Sequence, residues 1–375
     1  MLKLPRYNSI DPLIEPNAAM DAVLHAPLSG FLGGRLSGGR YVSHLEKLWC
    51  ETFRCTHAIA VNSATSGLLA ACHAIGVTNE TVILSPYTMS ATAATPVLLG
   101  ANLEFVDIEP EHYCIDPALV TTAFRTGPKP VAVIATNLFG HPAELKKLAR
   151  IAHANGAYLI EDNAQAPFAT EDGSYAGTMG DIGVFSLNVH KHFQSGEGGI
   201  VVTDNDDFAH SIRLFINHGE MAGGPVGLNL RMTEATAAIA IVQLRRARQL
   251  VQSRIDLARR LIDGLADNPM IRINPPRQGC EHVYYALAME VVQGVSRSKL
   301  TRALSILGVP LSEGYVEPLY RLPAFTNYAT DCPVAEDMHK RSLALFETCA
   351  YDPSPEQIDK IIKAFDQLAR MRTVA

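Results

Sequence analysis

Lys191 stands in the run Ser186-Leu-Asn-Val-His-Lys-His-Phe-Gln-Ser-Gly-Glu-Gly-Gly199, between two apolar segments. A lone lysine among small and polar residues suits an amine held in a cleft, where desolvation lowers its pKa and frees its lone pair for imine formation. A solvated loop lysine is the competing reading. Three other segments carry compatible chemistry. Tyr158-Leu-Ile-Glu-Asp-Asn-Ala-Gln165 is an apolar run ending in two carboxylates, and strand alternation turns Glu161 and Asp162 to opposite faces. Asn62-Ser-Ala-Thr-Ser-Gly67 is a run of small residues opening a helix, a natural phosphate cradle, though it lacks the spacing of a dinucleotide fingerprint or a P-loop. Ser85-Pro-Tyr-Thr-Met-Ser90 offers the ring of Tyr87 among small residues. An anion cradle, an aromatic face, a strand-end acid and an amine together meet the needs of pyridoxal phosphate. The amine bonds its aldehyde, and the carboxylate keeps its ring nitrogen protonated.

The elements that must position these groups are strands alternating with helices. Residues 58–61, 81–84, 103–106, 131–135 and 158–160 read as short strands. Residues 67–75 read as a helix, as does a segment with Leu145, Leu148, Ile151 and Ala152 on one face, with Gly156 as its C-cap. Such alternation implies crossover connections and a mostly parallel α/β sheet, whose binding groups collect beyond the carboxyl ends of the strands. A long helix is expected over 234–265, a strand over 282–291 and a helix over 298–307. A final helix begins at Ser354-Pro-Glu-Gln357, an N-cap, a proline at N1 and a glutamine at N3. The division expected is an N-terminal arm over 1–20, a large cofactor-binding α/β domain over 21–245 and a smaller α+β domain over 246–375.

The composition narrows the class. A net charge of −6 with no basic-aromatic stripe gives nucleic-acid binding no electrostatic support. No apolar run approaches a membrane span, and Met1–Leu13 lacks the apolar core of a signal peptide. Seven scattered cysteines without a Cys-x-x-Cys pair read as reduced thiols of a cytoplasmic protein, and no spacing suggests a metal site.

On these motifs the chain resembles the DegT/DnrJ/EryC1/StrS family of pyridoxal-phosphate-dependent sugar aminotransferases. The resemblance runs from Gly38-Gly-Arg-Tyr-Val-Ser-His-Leu-Glu46 to the last helix. It includes Asn62-Ser-Ala-Thr65, Glu161-Asp-Asn-Ala-Gln-Ala166, Gly180-Asp-Ile-Gly-Val-Phe-Ser186, Lys191 with Gly196-Glu-Gly-Gly199, and Asn229-Leu-Arg-Met-Thr-Glu234. It implies a fold-type I transferase with a mixed, mostly parallel seven-stranded sheet. Lys191 becomes the Schiff-base lysine and the acid/base that moves the substrate proton. Asp162 pairs with the ring nitrogen and Gln165 with the ring hydroxyl. Ala64, Thr65 and Ser186 hold the phosphate, and Tyr87 stacks on the ring. Asn229 reaches the neighbouring subunit's cofactor, which implies a homodimer with shared active sites. The activity expected is transfer of an amino group, from glutamate, to a keto or aldehydo sugar in amino-sugar or lipopolysaccharide biosynthesis.

Other readings stay open at this point. His190 and His192 flank the lysine and either contact substrate or bond backbone. Arg231 suits a substrate carboxylate or phosphate, or an interface ion pair. Tyr320 occupies a position where many relatives carry histidine. That departure, with the flanking histidines, leaves an eight-carbon keto-sugar acid or an aminocyclitol ketone as alternative acceptors, and a cofactor-bound regulator as an alternative function. His73, His153 and Met89 read as structural, and Glu197 as a turn residue.

Overall fold

The structure, a computed structural model, describes residues 2–25, 36–219 and 226–371. Nine strands lie in its first part: β1 (His57–Val61), β2 (Thr81–Leu84), β3 (Asn102–Phe105), β4 (Pro130–Thr136), β5 (Tyr158–Asp162), β6 (Thr170–Glu171), β7 (Ser174–Tyr175), β8 (Ile182–Ser186) and β9 (Gly199–Thr203). Seven of them form one sheet in the order β1-β9-β8-β5-β4-β2-β3. Pairing is parallel from β8 through β5, β4 and β2 to β3, and antiparallel where β9 meets β8 and β1. β2, β4 and β9 are almost wholly buried, as near-continuous Val, Ile, Leu and Ala runs covered on both faces must be.

The expected helices form, and local chemistry ends them. Ser63 caps the helix Ala64–Ile75 by accepting the Ser66 N–H. Gly156 takes φ +73° just beyond the helix Leu145–Ala154, a left-handed step that favours glycine. Ser296 caps Arg297–Ile306. At the last helix, Pro355–Met371, Gln357 Oε1 accepts the Ser354 N–H at 2.9 Å while Ser354 Oγ accepts the Gln357 N–H at 3.4 Å, a reciprocal capping box. Against one face of the sheet, Trp49 and Phe53 of the helix Arg40–Phe53 pack on Phe185, Phe193 and Phe168. Trp49 is fully buried, so its truncation to alanine costs about 3–5 kcal/mol.

Two smaller sheets follow. β10 (Ile271–Arg272), β12 (Leu287–Val291), β14 (Leu343–Phe346) and β13 (Ser312–Glu313) form an antiparallel sheet in that order. With the helices Arg297–Ile306 and Pro355–Met371 it encloses a second apolar cluster around Met289, Leu300, Phe346, Ile361 and Phe365. β11 (Cys280–Glu281) instead joins β6 and β7. The strand expected over 282–291 is therefore broken: Tyr284 adopts φ +50°, and the ladder resumes only at Leu287. The helix Glu234–Leu265 is continuous, so residue 245 falls inside it, and it contributes to both clusters. No described helix is long and apolar enough to cross a membrane.

Candidate active site

Above the carboxyl ends of β1, β4, β5 and β8 lies a cavity of about 360 Å³, a size suited to a small ligand. Its wall includes Ala64, Thr65, Met89, Asp162, Ala164, Gln165, Ser186, His190, Lys191, Tyr285 and Tyr315. The strand-end acids separate as alternation requires. Glu161 points away and is buried, accepting the amides of Gly177 (2.5 Å), Met179 (2.6 Å) and Gly180 (2.5 Å). Asp162 faces the cavity, where Thr92 Oγ1 donates to Oδ2 at 2.8 Å and the Ala164 N–H to Oδ1 at 3.2 Å. Neither acid is solvated.

Burial raises the Asp162 carboxyl above the ordinary range, against the stabilising Thr92 hydroxyl, Ala164 amide and Lys191 ammonium. Burial likewise pulls Lys191 below the usual lysine range, and the Asp162 charge opposes it. The Lys191 Nζ lies 4.6 Å from the centre of the Tyr285 ring. An amine so placed is present as the free base near neutral pH in a larger fraction than a solvated lysine, and so is readier to act as a nucleophile or to take up a proton.

The helix Ala64–Ile75 begins at the cavity wall, with Ala64 and Thr65 in its first turn. Helix N-termini favour anions through their amides and dipole. Gly199 at the start of β9 keeps this turn in place: a Cβ there would lie 2.6 Å from the Ala64 nitrogen and 2.7 Å from the Ser63 carbonyl carbon. Gln165 has a fixed orientation. Its Oε1 accepts the Phe139 N–H at 2.8 Å, which turns Nε2 to donate to Tyr315 Oη at 2.8 Å. Burial pushes the Tyr315 phenol up to about 12, so it stays protonated.

Ala64, Thr65, Asp162, Gln165, Ser186, His190 and Lys191 thus meet at one cavity. Five expected residues lie elsewhere or face away. Tyr87 is buried behind the wall, its hydroxyl accepting the Tyr315 N–H at 3.0 Å, and Met89 lines the cavity in its stead. Only Thr88 separates them, and the turn sends one side chain inward and the other to the cavity. His192 is buried and turned from the cavity, with Nε2 on the Val283 carbonyl at 2.9 Å. Tyr320 donates to Glu336 Oε1 at 2.8 Å beside a separate surface pocket. Arg231 donates to Asn217 Oδ1 at 2.7 Å, and neither it nor Asn229, which bridges to Asn217, lines this chain's own cavity.

Glu197, expected in a turn, reaches the cavity rim and accepts Asn188 Nδ2 at 2.8 Å. His73 stacks on Phe215 at 4.1 Å, and His153 pairs with Asp181 at 2.9 Å, both remote from the cavity. Sequence reasoning missed Thr92, Tyr285 and Tyr315. Thr92 left a trace, a hydroxyl one turn into the helix following the Tyr87 segment. The tyrosines are brought in by long-range packing and left none. Among the described residues no cluster of metal-binding side chains occurs.

The profile of the DegT/DnrJ/EryC1/StrS aminotransferase family matches residues 27–366. The chain is 27% identical to GDP-perosamine synthase of Caulobacter vibrioides, over 98% of this chain and all of that protein (100%). It is 32% identical to a protein of Streptoalloteichus tenebrarius named as a candidate L-glutamine:3-amino-2,3-dideoxy-scyllo-inosose aminotransferase, over 87% of this chain and 83% of that one. The crystal structure of a DegT DnrJ EryC1 StrS aminotransferase from Brucella abortus superposes with a TM-score of 0.84 at 25% identity, covering 95% of both chains.

Proposed function

The chain belongs to the DegT/DnrJ/EryC1/StrS aminotransferase family, and on that premise we propose that it moves an amino group from glutamate to the carbonyl of a sugar at the Lys191 cavity. As a member it is a pyridoxal-phosphate-dependent aminotransferase of amino-sugar biosynthesis. The cavity fits that cofactor. It offers an anion-binding helix start that Gly199 keeps clear, a buried carboxylate, an amine and a wall of Met89 and Ala164. When bound, pyridoxal phosphate supplies an aldehyde that takes up amines and a ring that accepts electrons.

Around it each residue has a distinct task. Ala64, Thr65 and Ser186 hold the phosphate, Asp162 the protonated ring nitrogen and Gln165 the ring oxygen. Lys191 would hold the cofactor's aldehyde carbon, and its amine would move a proton to and from the substrate carbon. Its lowered pKa, caused by burial, readies it to accept that proton. His190 at the rim is the substrate contact favoured on this chain, as His192 faces away. Asn229 and Arg231 are assigned to the cavity of a second copy, so the working unit is a homodimer with shared sites. Among the described residues no arginine lines the cavity, which leaves a carboxylate-bearing donor or a sugar acid to find its cation across that interface.

The observation that carries this reading is the juxtaposition of Lys191 and Asp162 in one cavity with the start of the helix Ala64–Ile75. The test is spectroscopic. Purified protein should show a visible chromophore that borohydride abolishes, with the label on Lys191, and glutamate should bleach it. A colourless protein, or a label elsewhere, overturns the assignment. A panel of keto-sugars, nucleotide-linked and free, with sugar acids and aminocyclitol ketones included, then identifies the acceptor by loss of the glutamate-loaded form.

A further inference from the structure

The segment expected as a separate N-terminal arm runs directly behind the lysine loop. Tyr7 Oη donates to the carbonyl of His192, the residue after Lys191, at 2.5 Å. Asn8 Oδ1 accepts Gln194 Nε2 at 3.4 Å. The Ser9 carbonyl accepts Gln243 Nε2 at 3.0 Å, and Gln243 Oε1 in turn accepts the Gln194 N–H at 3.3 Å. Three successive residues of the arm therefore hold His192 and Gln194, directly or through one buried side chain.

The arm is itself anchored on the second apolar cluster's side. The Tyr7 N–H donates to the Ala350 carbonyl at 3.1 Å, and the Asp352 N–H to the Pro5 carbonyl at 2.9 Å. The Arg254 guanidinium lies 4.1 Å over the Tyr7 ring while bonding the Thr348 and Tyr351 carbonyls at 3.1 and 2.9 Å and Asp352 at 2.5 Å. On the far side of the loop, His192 is fixed through Nε2 to Val283, two residues from the Tyr285 ring that faces Lys191. His192 is thus clamped from two directions, and its neighbour Lys191 inherits the restraint.

We infer that residues 7–9 are a strap that sets the position of Lys191, with Tyr7 as its principal positioning residue. Residues 7–9 do not line the Lys191 cavity. The strap acts by denying the lysine loop alternative backbone conformations, in the way that a reacting group is held near its productive geometry by the shell behind it. The inference rests on Lys191 as the reacting amine, and the borohydride test of the wild-type enzyme checks that independently.

Tyr7→Phe keeps the ring under Arg254 and removes only the hydroxyl. In the cofactor-loaded enzyme it should lower kcat about tenfold with the acceptor KM within about twofold, the size of effect expected when one hydrogen bond of a positioning shell is lost. Amide hydrogen exchange across residues 187–195 should accelerate by a similar factor, while the helix Glu234–Leu265 is unchanged. Arg6→Ala, on the same arm but away from the loop, should leave both readouts at wild-type values. A Tyr7→Phe enzyme with a lower Tm but unaltered kcat and unaltered exchange over 187–195 would reduce the strap to a stability element. If Tyr7→Phe does not fold, Asn8→Ala, at an exposed position, decides the matter by the same two readouts, and no change in either overturns the proposal.

Discussion

Two clusters of ionisable groups are built from the same two stretches of chain, residues 139–141 and 282–285, and they behave differently. On one side Tyr285 faces the Lys191 cavity, and Phe139 packs edge-on behind Tyr315, which lines it. On the other, His141 stacks on His112 at 4.3 Å and meets His282 at 5.4 Å, and His282 stacks on Tyr284 at 3.9 Å. Both clusters contain shifted groups. Burial, followed by the charges of its neighbours, drives His141 down to about 2, and burial drives His282 down to about 3.

The histidines nevertheless spend their nitrogens on backbone. His141 bonds the Pro142 carbonyl at 2.8 Å and accepts the Arg277 N–H at 3.1 Å, His282 accepts the Tyr284 N–H at 3.0 Å, and His112 bonds the Pro275 carbonyl at 3.2 Å. The space that all three histidines line is about 20 Å³, against about 360 Å³ beside Lys191, while His282 alone of them also borders a wider cleft of about 490 Å³. A perturbed pKa marks a functional site only where room and unspent donors accompany it. The histidine stack is a joint.

The contrast can be broken most sharply at Lys191. Lys191→Ala should lower turnover by at least about a thousandfold and abolish the visible chromophore while the fold persists, because nucleophile and proton carrier go together. Retained turnover would move the chemistry elsewhere. Asp162→Asn should cost about a hundredfold in kcat/KM and shift the chromophore, as the ring nitrogen loses its anionic partner. An unchanged spectrum would show that the carboxylate does not face the cofactor.

The histidine stack should respond in stability. His141 and His282 are neutral when folded and take up protons when unfolded, their folded pKa values being depressed. Their contribution is therefore complete above the unfolded value, near 6.5, and is lost as pH falls below it, at roughly 1.4 kcal/mol per pH unit for each group. Urea unfolding between pH 7 and 5 should show this slope, and His282→Leu should reduce it. A slope unmoved by that substitution would assign the acid sensitivity to other groups. The smallest effect separates Met89 from Tyr87. Met89→Ala should weaken cofactor binding about fivefold and Tyr87→Phe less than about twofold, since only Met89 lines the cavity. Fluorescence titration of the apoprotein with pyridoxal phosphate reads both.

Much of the α/β half was legible in the sequence because its signals are local. Short Val, Ile and Ala runs between turn residues read as buried strands, and Asp162, Thr65 and Lys191 lie at their ends or in the loops that follow. The opposite facing of Glu161 and Asp162 followed from alternation alone. What could not be read depends on backbone geometry or on distant contacts. The positive φ of Tyr284 turns an apparently continuous strand run into two pieces and sends Tyr285 to Lys191. Whether Tyr87 or Met89 faces the cavity is set by a turn whose register no periodicity encodes. The role of Tyr7, 185 positions from His192, has no sequence signature.

The helix Glu234–Leu265 bears on how a ligand is admitted. Its 32 residues, at about 1.5 Å each, make a beam of about 48 Å that serves both apolar clusters without interruption. The helix is unbroken along that beam, so swinging the two halves apart about it, like covers about a spine, would have to bend or break it. Any widening of the Lys191 cleft has to arise from twisting of the beam or from the short loops at its rim, which predicts small, local breathing in place of wholesale opening.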